Sequence, residues 1–157
     1  MKSTRRSIVK SLGVLAALPW LIPASRAFAV APTRIGVIGS GSLGGTVGRL
    51  WVEAGHEVMF SSRHPEQLQD MVEALGPRAS VGLPMAAAEF GTVLLLAIPF
   101  EALPQVGRDL HSAYRSKIVL DSTNPWGTSS SDVYREAHNL GVAETVAKYM
   151  IGARLVR

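Results

Sequence analysis

Apolar residues in this chain come in short runs that alternate between two periods. Arg34 to Ile38 is a β-branched run of strand length. Leu43, Val47, Leu50, Trp51 and Ala54 follow at helical spacing, and Gly55 closes that helix with a residue suited to positive φ. Glu57 to Ser61 predicts a second strand. Pro65 then opens a helix whose Leu68, Met71, Val72 and Leu75 share one face, and Gly76-Pro77 stops it. Ser80-Val81 reads as a short strand and Met85 to Phe90 as a short helix. Thr92 to Ile98 is almost wholly apolar, the pattern of a parallel strand covered on both faces, and Pro99 ends it. Phe100, Leu103, Val106 and Leu110 mark the next helix, Lys117 to Asp121 a strand, Ala143 to Met150 a helix and Arg154 to Val156 a last strand. Ser122 to Asp132 is the loop-like stretch.

Strands alternating with helices predict an α/β fold, a single domain with a Rossmann-type doubly wound, mostly parallel sheet and helices on both faces. The turn after the first strand sharpens this. Gly39-Ser40-Gly41-Ser42-Leu43-Gly44 fits G-x-G-x-x-G between a strand and a helix, with another strand behind. In such a turn Gly39 permits the tight bend, Gly41 lets backbone approach a pyrophosphate, and Gly44 lets helix and strand pack closely. Gly45 and Gly48 extend the small-residue face. Unpaired N–H groups and the positive end of the helix dipole would hold the phosphates.

An acid normally ends the second strand of an NAD site, on the ribose 2′-hydroxyl. Here the place reads Ser61-Ser62-Arg63-His64-Pro65. Ser62 offers a hydroxyl, Arg63 a planar fork for a phosphate and His64 a third donor, which together point to NADP. The competing readings are a solvated loop cation for Arg63 and a helix-start residue for His64.

Charge and the amino terminus change the picture further. Lys2, Arg5, Arg6, Lys10 and Arg26 are five of the 16 basic residues and fall within the first 29, which hold no acid; the rest of the chain keeps 11 against 12 acids. The formal charge of +4 thus belongs to the leader, which argues against a nucleic-acid partner. Thr4 to Lys10 resembles a twin-arginine export signal. Leu12 to Ile22, interrupted by Pro19, is shorter than the ~18 to 20 residues that span a bilayer, and Ala27-Phe28-Ala29 suits a signal peptidase. The expectation is a signal peptide over 1–29 and an NADP-binding domain over 30–157, exported to the periplasm with only transient membrane contact. An ordinary secretory signal, an uncleaved anchor and a cytoplasmic location are the alternatives. With no cysteine, the chain has neither disulfides nor thiolate chemistry, and no metal-ligand cluster stands out.

"IGVIGSGSLGGTVGRLWVEAGHEVMFSSRHPEQL", "LLLAIPFEALPQV" and "IVLDSTNPW" together resemble the NADP-dependent, coenzyme-F420-reductase-like oxidoreductase family, a relative of the pyrroline-5-carboxylate reductase dinucleotide domains. The resemblance runs from about Arg34 to Val156. It implies that Gly39, Ser40, Gly41, Ser42 and Leu43 bind the pyrophosphate and that Ser62 and Arg63 hold the 2′-phosphate. It also implies that Ala97, Ile98 and Pro99 pass beside the nicotinamide. Asn124 and Pro125 would lie at the same sheet edge, where Asn124 either orients a carboxamide or substrate or is simple turn chemistry. The implied reaction is hydride transfer between NADP(H) and a small-molecule redox acceptor, F420 or a flavin, which asks mainly for positioning and names no catalytic residue. His111 and His138, both taken as helical, read as surface residues.

Two departures stand out. Glu66 and Gln67 occupy a stretch where family members often carry a further basic residue. The sequence also stops at "ARLVR", where members continue into a segment for the second substrate and the dimer contact. A non-catalytic NADP-binding module that needs a partner chain is therefore the second reading, and homo-oligomerisation stays open.

Overall fold

The apolar runs become the strands of one sheet. Among the described residues, 31–127 and 130–157 of this computed structural model, the strands are β1 (Arg34–Ile38), β2 (Glu57–Ser61), β3 (Ala79–Gly82), β4 (Val93–Leu96), β5 (Ile118–Asp121) and β6 (Arg154–Val156). All are parallel, in the order β3-β2-β1-β4-β5-β6. The helices are α1 (Ser42–Glu53), α2 (Gln69–Leu75), α3 (Pro84–Phe90), α4 (Leu103–Asp109), α5 (His111–Tyr114), α6 (Asp132–Leu140) and α7 (Val142–Tyr149). Tight helical turns, Pro65–Leu68 and Phe100–Ala102, lead into α2 and α4. Ala31–Arg157 form one compact unit with the Rossmann-type topology. The leader expected over 1–29 lies outside the described residues.

Strand β4 shows why its sequence is apolar throughout. Leu94 and Leu96 join a core with Ala87 and Ala88 of α3, Leu103 of α4, Tyr114 of α5, Val133 of α6 and Val146 of α7. Leu95 points the other way, into a core with Val52 of α1, Val72 of α2 and Phe60 of β2. Both faces of the strand are thus withdrawn from water, and alternation disappears.

Helix α1 meets the sheet through the expected glycines, with Val47 and Trp51 packed on the core, but two leucines of its expected apolar stripe face outward. Its buried residues are Gly44, Gly45, Gly48 and Val52, whereas Leu43 and Leu50 are 49% and 58% exposed. The glycines bring the helix so close that a Cβ at Gly48 would sit 2.3 Å from the Phe60 ring. Glycines carry no apolar side chain, so a hydrophobic count follows the leucines and rotates the inner stripe by about one position.

Two further departures concern the second half. The apolar run from Phe100 to Leu110 makes a turn and a helix, α4, that breaks at Leu110 before α5. Helix α6 agrees with the helical reading of His138, but the sequence pattern set no bounds for it, because only Val133 and Ala137 are buried on it. It is fixed by tertiary contacts. The Tyr134 ring meets Phe100 edge-on at 5.6 Å, and Glu136 accepts hydrogen bonds from Lys148 Nζ (2.7 Å) and the Tyr149 hydroxyl (2.8 Å) of α7.

Those two hydrogen bonds hold the Glu136 carboxyl below the ordinary glutamate value. A carboxylate whose pKa is lowered by folding stabilises the native state above the unfolded value and loses that contribution as pH falls through the folded one. Urea midpoints of wild type and Glu136→Gln should therefore differ near neutrality and converge as pH drops below about 4.3. A gap that persists at low pH would show that the carboxylate is not the linking group.

Candidate functional site

In the strand order, the chain runs outward from β1 to β3 and then crosses back to place β4 on the other side of β1. The carboxyl ends of β1 and β4 therefore diverge into a crevice, the position at which open α/β sheets bind ligands. Ile38 ends β1 and pairs with Leu96 at the end of β4. The residues that follow each of them line one cavity of about 650 Å³.

The first wall is the glycine turn. Gly39 has φ +93°, and a Cβ there would also lie 2.5 Å from the Ala97 carbonyl oxygen. A Cβ at Gly44 would meet the Gly39 carbonyl oxygen at 2.1 Å, so the turn and the first turn of α1 are folded against one another. At Gly41 a Cβ would meet nothing within 4 Å, and that open space is where a ligand can reach the backbone. The first intrahelical bond runs from the Gly45 N–H to the Gly41 carbonyl (2.8 Å), so the N–H groups of Ser42 and Leu43 have no acceptor within the helix. The first turn of α1 contains no acid, which leaves its positive end uncompensated.

Ser61 locks this turn in place, a role that sequence reading passed over. The Ser40 N–H donates to the Ser61 carbonyl (3.0 Å), and the Ser61 N–H donates back to Ser40 Oγ (2.9 Å). The fully buried Ser61 hydroxyl donates to the Val37 carbonyl (2.7 Å) and accepts from the Gly39 N–H (3.4 Å). One small polar residue thus ties the end of β2 to both limbs of the turn. The available signal was the Ser61-Ser62 pair at the strand end, of which the first residue points inward and the second outward.

Gly39, Ser40, Gly41, Ser62, Arg63, Ala97, Ile98 and Pro99 all line the cavity. Ser42 and Leu43 do not; they stand at the start of α1. His64 is also outside the lining, with its ring 3.4 Å from Glu66 and its N–H donating to Ser62 Oγ (3.0 Å). Asn124 is half-buried and off the cavity wall, its carbonyl accepting the Trp126 N–H at 2.9 Å.

The segment that carries Asn124 is fixed by Asp121 at the end of β5. This buried carboxylate accepts the Thr123 N–H (2.9 Å) and hydroxyl (2.7 Å) and pairs with Arg157 beyond β6. With three donors around it, the burial of its charge is compensated. Ala102, Gln105, Val106 and Asp109 also line the cavity, from α4 and the turn before it. Sequence reading missed these residues as site residues, because only the crossover from β3 to β4 brings α4 to the cavity that Arg63 lines.

The sequence over residues 34–125 matches the family described as NADP oxidoreductase, coenzyme F420-dependent. No curated protein sequence matches the chain. Among solved structures, a protein assigned as an F420-dependent NADP reductase from Arthrobacter sp. FB24 superposes with TM-score 0.65 at 17% identity, covering 78% of this chain and 60% of that one. Pyrroline-5-carboxylate reductase from Coxiella burnetii gives 0.60 at 15% identity, with coverage of 78% and 42%. An imine reductase from Myxococcus stipitatus, solved with NAD⁺, gives 0.56 at 18% identity, with coverage of 80% and 40%. At these identities the likeness is one of fold. The chain spans three fifths or less of the length of each.

Proposed function

This chain belongs to the coenzyme F420-dependent NADP oxidoreductase family, and on that premise we propose that it binds NADP(H) and passes hydride between the nicotinamide and a deazaflavin, flavin or other small redox carrier. The observation that carries this reading is the continuity of one cavity from the glycine turn to Ser62-Arg63 on one side and Ala97-Ile98-Pro99 on the other. When bound, the nicotinamide supplies the hydride. The chain's own residues supply placement. Backbone N–H groups of Gly41, Ser42 and Leu43 would face the pyrophosphate, aided by the α1 dipole, while those of Gly39 and Ser40 are spent on Ser61 and only shape the turn; the open space at Gly41 fits that approach. Arg63 and Ser62 would hold the 2′-phosphate through charge-assisted hydrogen bonds. Ala97, Ile98 and Pro99 present no ionisable group and would shield the reacting end from water, leaving proximity and orientation to lower the barrier.

The second reading is a nucleotide-binding module that acts only with a partner chain. Calorimetric titration of the full chain with NADP(H) and, separately, NAD(H), followed by assay with F420 and with FMN, distinguishes the outcomes. NADP-selective binding with acceptor reduction supports the oxidoreductase, binding without turnover supports the module, and binding of neither nucleotide refutes both.

We also propose export by the twin-arginine route, on the strength of Arg5, Arg6 and the apolar run behind them. A cofactor carried out of the cytoplasm must stay bound. At an association rate of ~10⁶ M⁻¹s⁻¹, a Kd of ~1 nM gives residence on the order of a thousand seconds, whereas micromolar binding lasts about a second. Fractionation of cells expressing the wild type and an Arg5→Lys, Arg6→Lys variant tests the route, with retention of the variant inside the cell expected.

A further inference from the structure

The cavity that Arg63 lines also carries a group that phosphate binding does not use. Asp109 lines the cavity from the last position of α4. A carboxylate there faces the negative end of the helix dipole, an unfavourable place for an acid. It is also held in position. Gln105 Nε2 donates to Asp109 Oδ1 (2.6 Å), and Gln105 Oε1 accepts from Arg108 Nη2 (2.7 Å). These bonds join exposed side chains; they occupy Oδ1 and leave Oδ2 with no hydrogen bond among the described residues. The same cavity is lined by apolar Leu68, Pro84, Ala102 and Val106. Apolar lining with an unpaired acceptor suits a flat heteroaromatic ring that carries an amino group on its edge.

We infer that Asp109 selects the base of the nucleotide by accepting a hydrogen bond from the exocyclic amine of adenine, with Leu68 and Val106 flanking the ring and Gln105 as its positioning residue. The inference rests on the nucleotide-site reading above and adds a determinant to it. The adenine amine donates to a carboxylate, whereas the hypoxanthine of a deaminated cofactor puts a carbonyl oxygen in the same place. Acceptor against acceptor is repulsive and leaves a polar group unpaired, the kind of mismatch that discriminates strongly between close analogues.

The test is titration of the full chain with NADP and with nicotinamide hypoxanthine dinucleotide phosphate, in the wild type, Asp109→Leu and Asp109→Asn. Wild type should favour the adenine form about tenfold or more. Asp109→Leu should bring that ratio near unity, and so should Asp109→Asn, whose amide can turn its oxygen to the adenine amine or its NH2 to the hypoxanthine carbonyl. Wild type binding both forms equally, or Asp109→Leu weakening both with the ratio unchanged, would overturn this assignment and leave the cofactor site standing. Failure of wild type to bind either nucleotide would overturn the cofactor reading and this one with it.

Discussion

Gly44→Ala is expected to be among the most damaging single-methyl substitutions in the molecule, lowering stability by about 3 kcal/mol and the thermal midpoint by roughly 10 °C. The added Cβ would stand 2.1 Å from the Gly39 carbonyl oxygen, a backbone atom, with Val37 and Ala97 side-chain carbons at 3.0 and 3.2 Å behind it. None of these can swing aside as the end of a flexible side chain would. Relief requires moving α1 away from β1 or distorting Gly39, which already holds φ +93°. Either change pulls apart the turn that Ser61 laces together, so NADP affinity should fall alongside stability. Gly45→Ala is the control. A Cβ there makes an ordinary 3.4 Å contact with the Ser40 carbonyl oxygen. Because alanine is the better helix former by up to about 1 kcal/mol, that variant should be neutral or slightly stabilised. Thermal denaturation of the two variants decides the matter: equal midpoints would mean that the close approach is not what fixes the helix.

The second large effect is on selectivity. Arg63→Ala should weaken NADP binding about tenfold to a hundredfold while leaving NAD binding almost unchanged, since a charge-assisted hydrogen bond to phosphate is worth about 1.5 to 3 kcal/mol. The structure puts Arg63 on the cavity wall just after β2, where it makes no ion pair among the described residues. Arg63→Lys should recover only part of the loss, because an ammonium is a point charge and lacks the planar fork. Ser62→Ala should cost less than Arg63→Ala, because its hydroxyl already accepts the His64 N–H and shapes the loop as well as facing the cavity. Titrations with both nucleotides read the result, and equal losses for NADP and NAD would remove the 2′-phosphate from Arg63.

What was legible in the sequence was whatever depends on neighbours along the chain. Gly39, Gly41 and Gly44 announce a strand-to-helix turn by spacing alone, and the unbroken apolar run around Leu94 to Leu96 announces a strand covered on both faces. Arg63 is legible because it stands where an acid is otherwise expected. What was not legible depends on neighbours across space. The outward turn of Leu43 and Leu50 follows from how closely the glycines let α1 approach Phe60. Helix α6 exists because Tyr134 finds Phe100 and Glu136 finds Lys148. Asp109 enters the site only through the crossover that brings α4 and the loop after β2 to one cavity, and no local motif marks it.

That crossover has a kinetic consequence. The crevice opens between β1 and β4, whose pairing joins Ile38 to Leu96 across the whole of α1, β2, α2, β3 and α3. Parallel contacts between such distant segments form late, after a large loss of chain entropy. A half-folded chain that has already made the β1–α1–β2 unit therefore has one lip of the crevice and lacks the other. Nucleotide has little to grip until the folding barrier has been crossed. Its stabilisation should then show as a slower unfolding rate, with the rate of refolding left where it was.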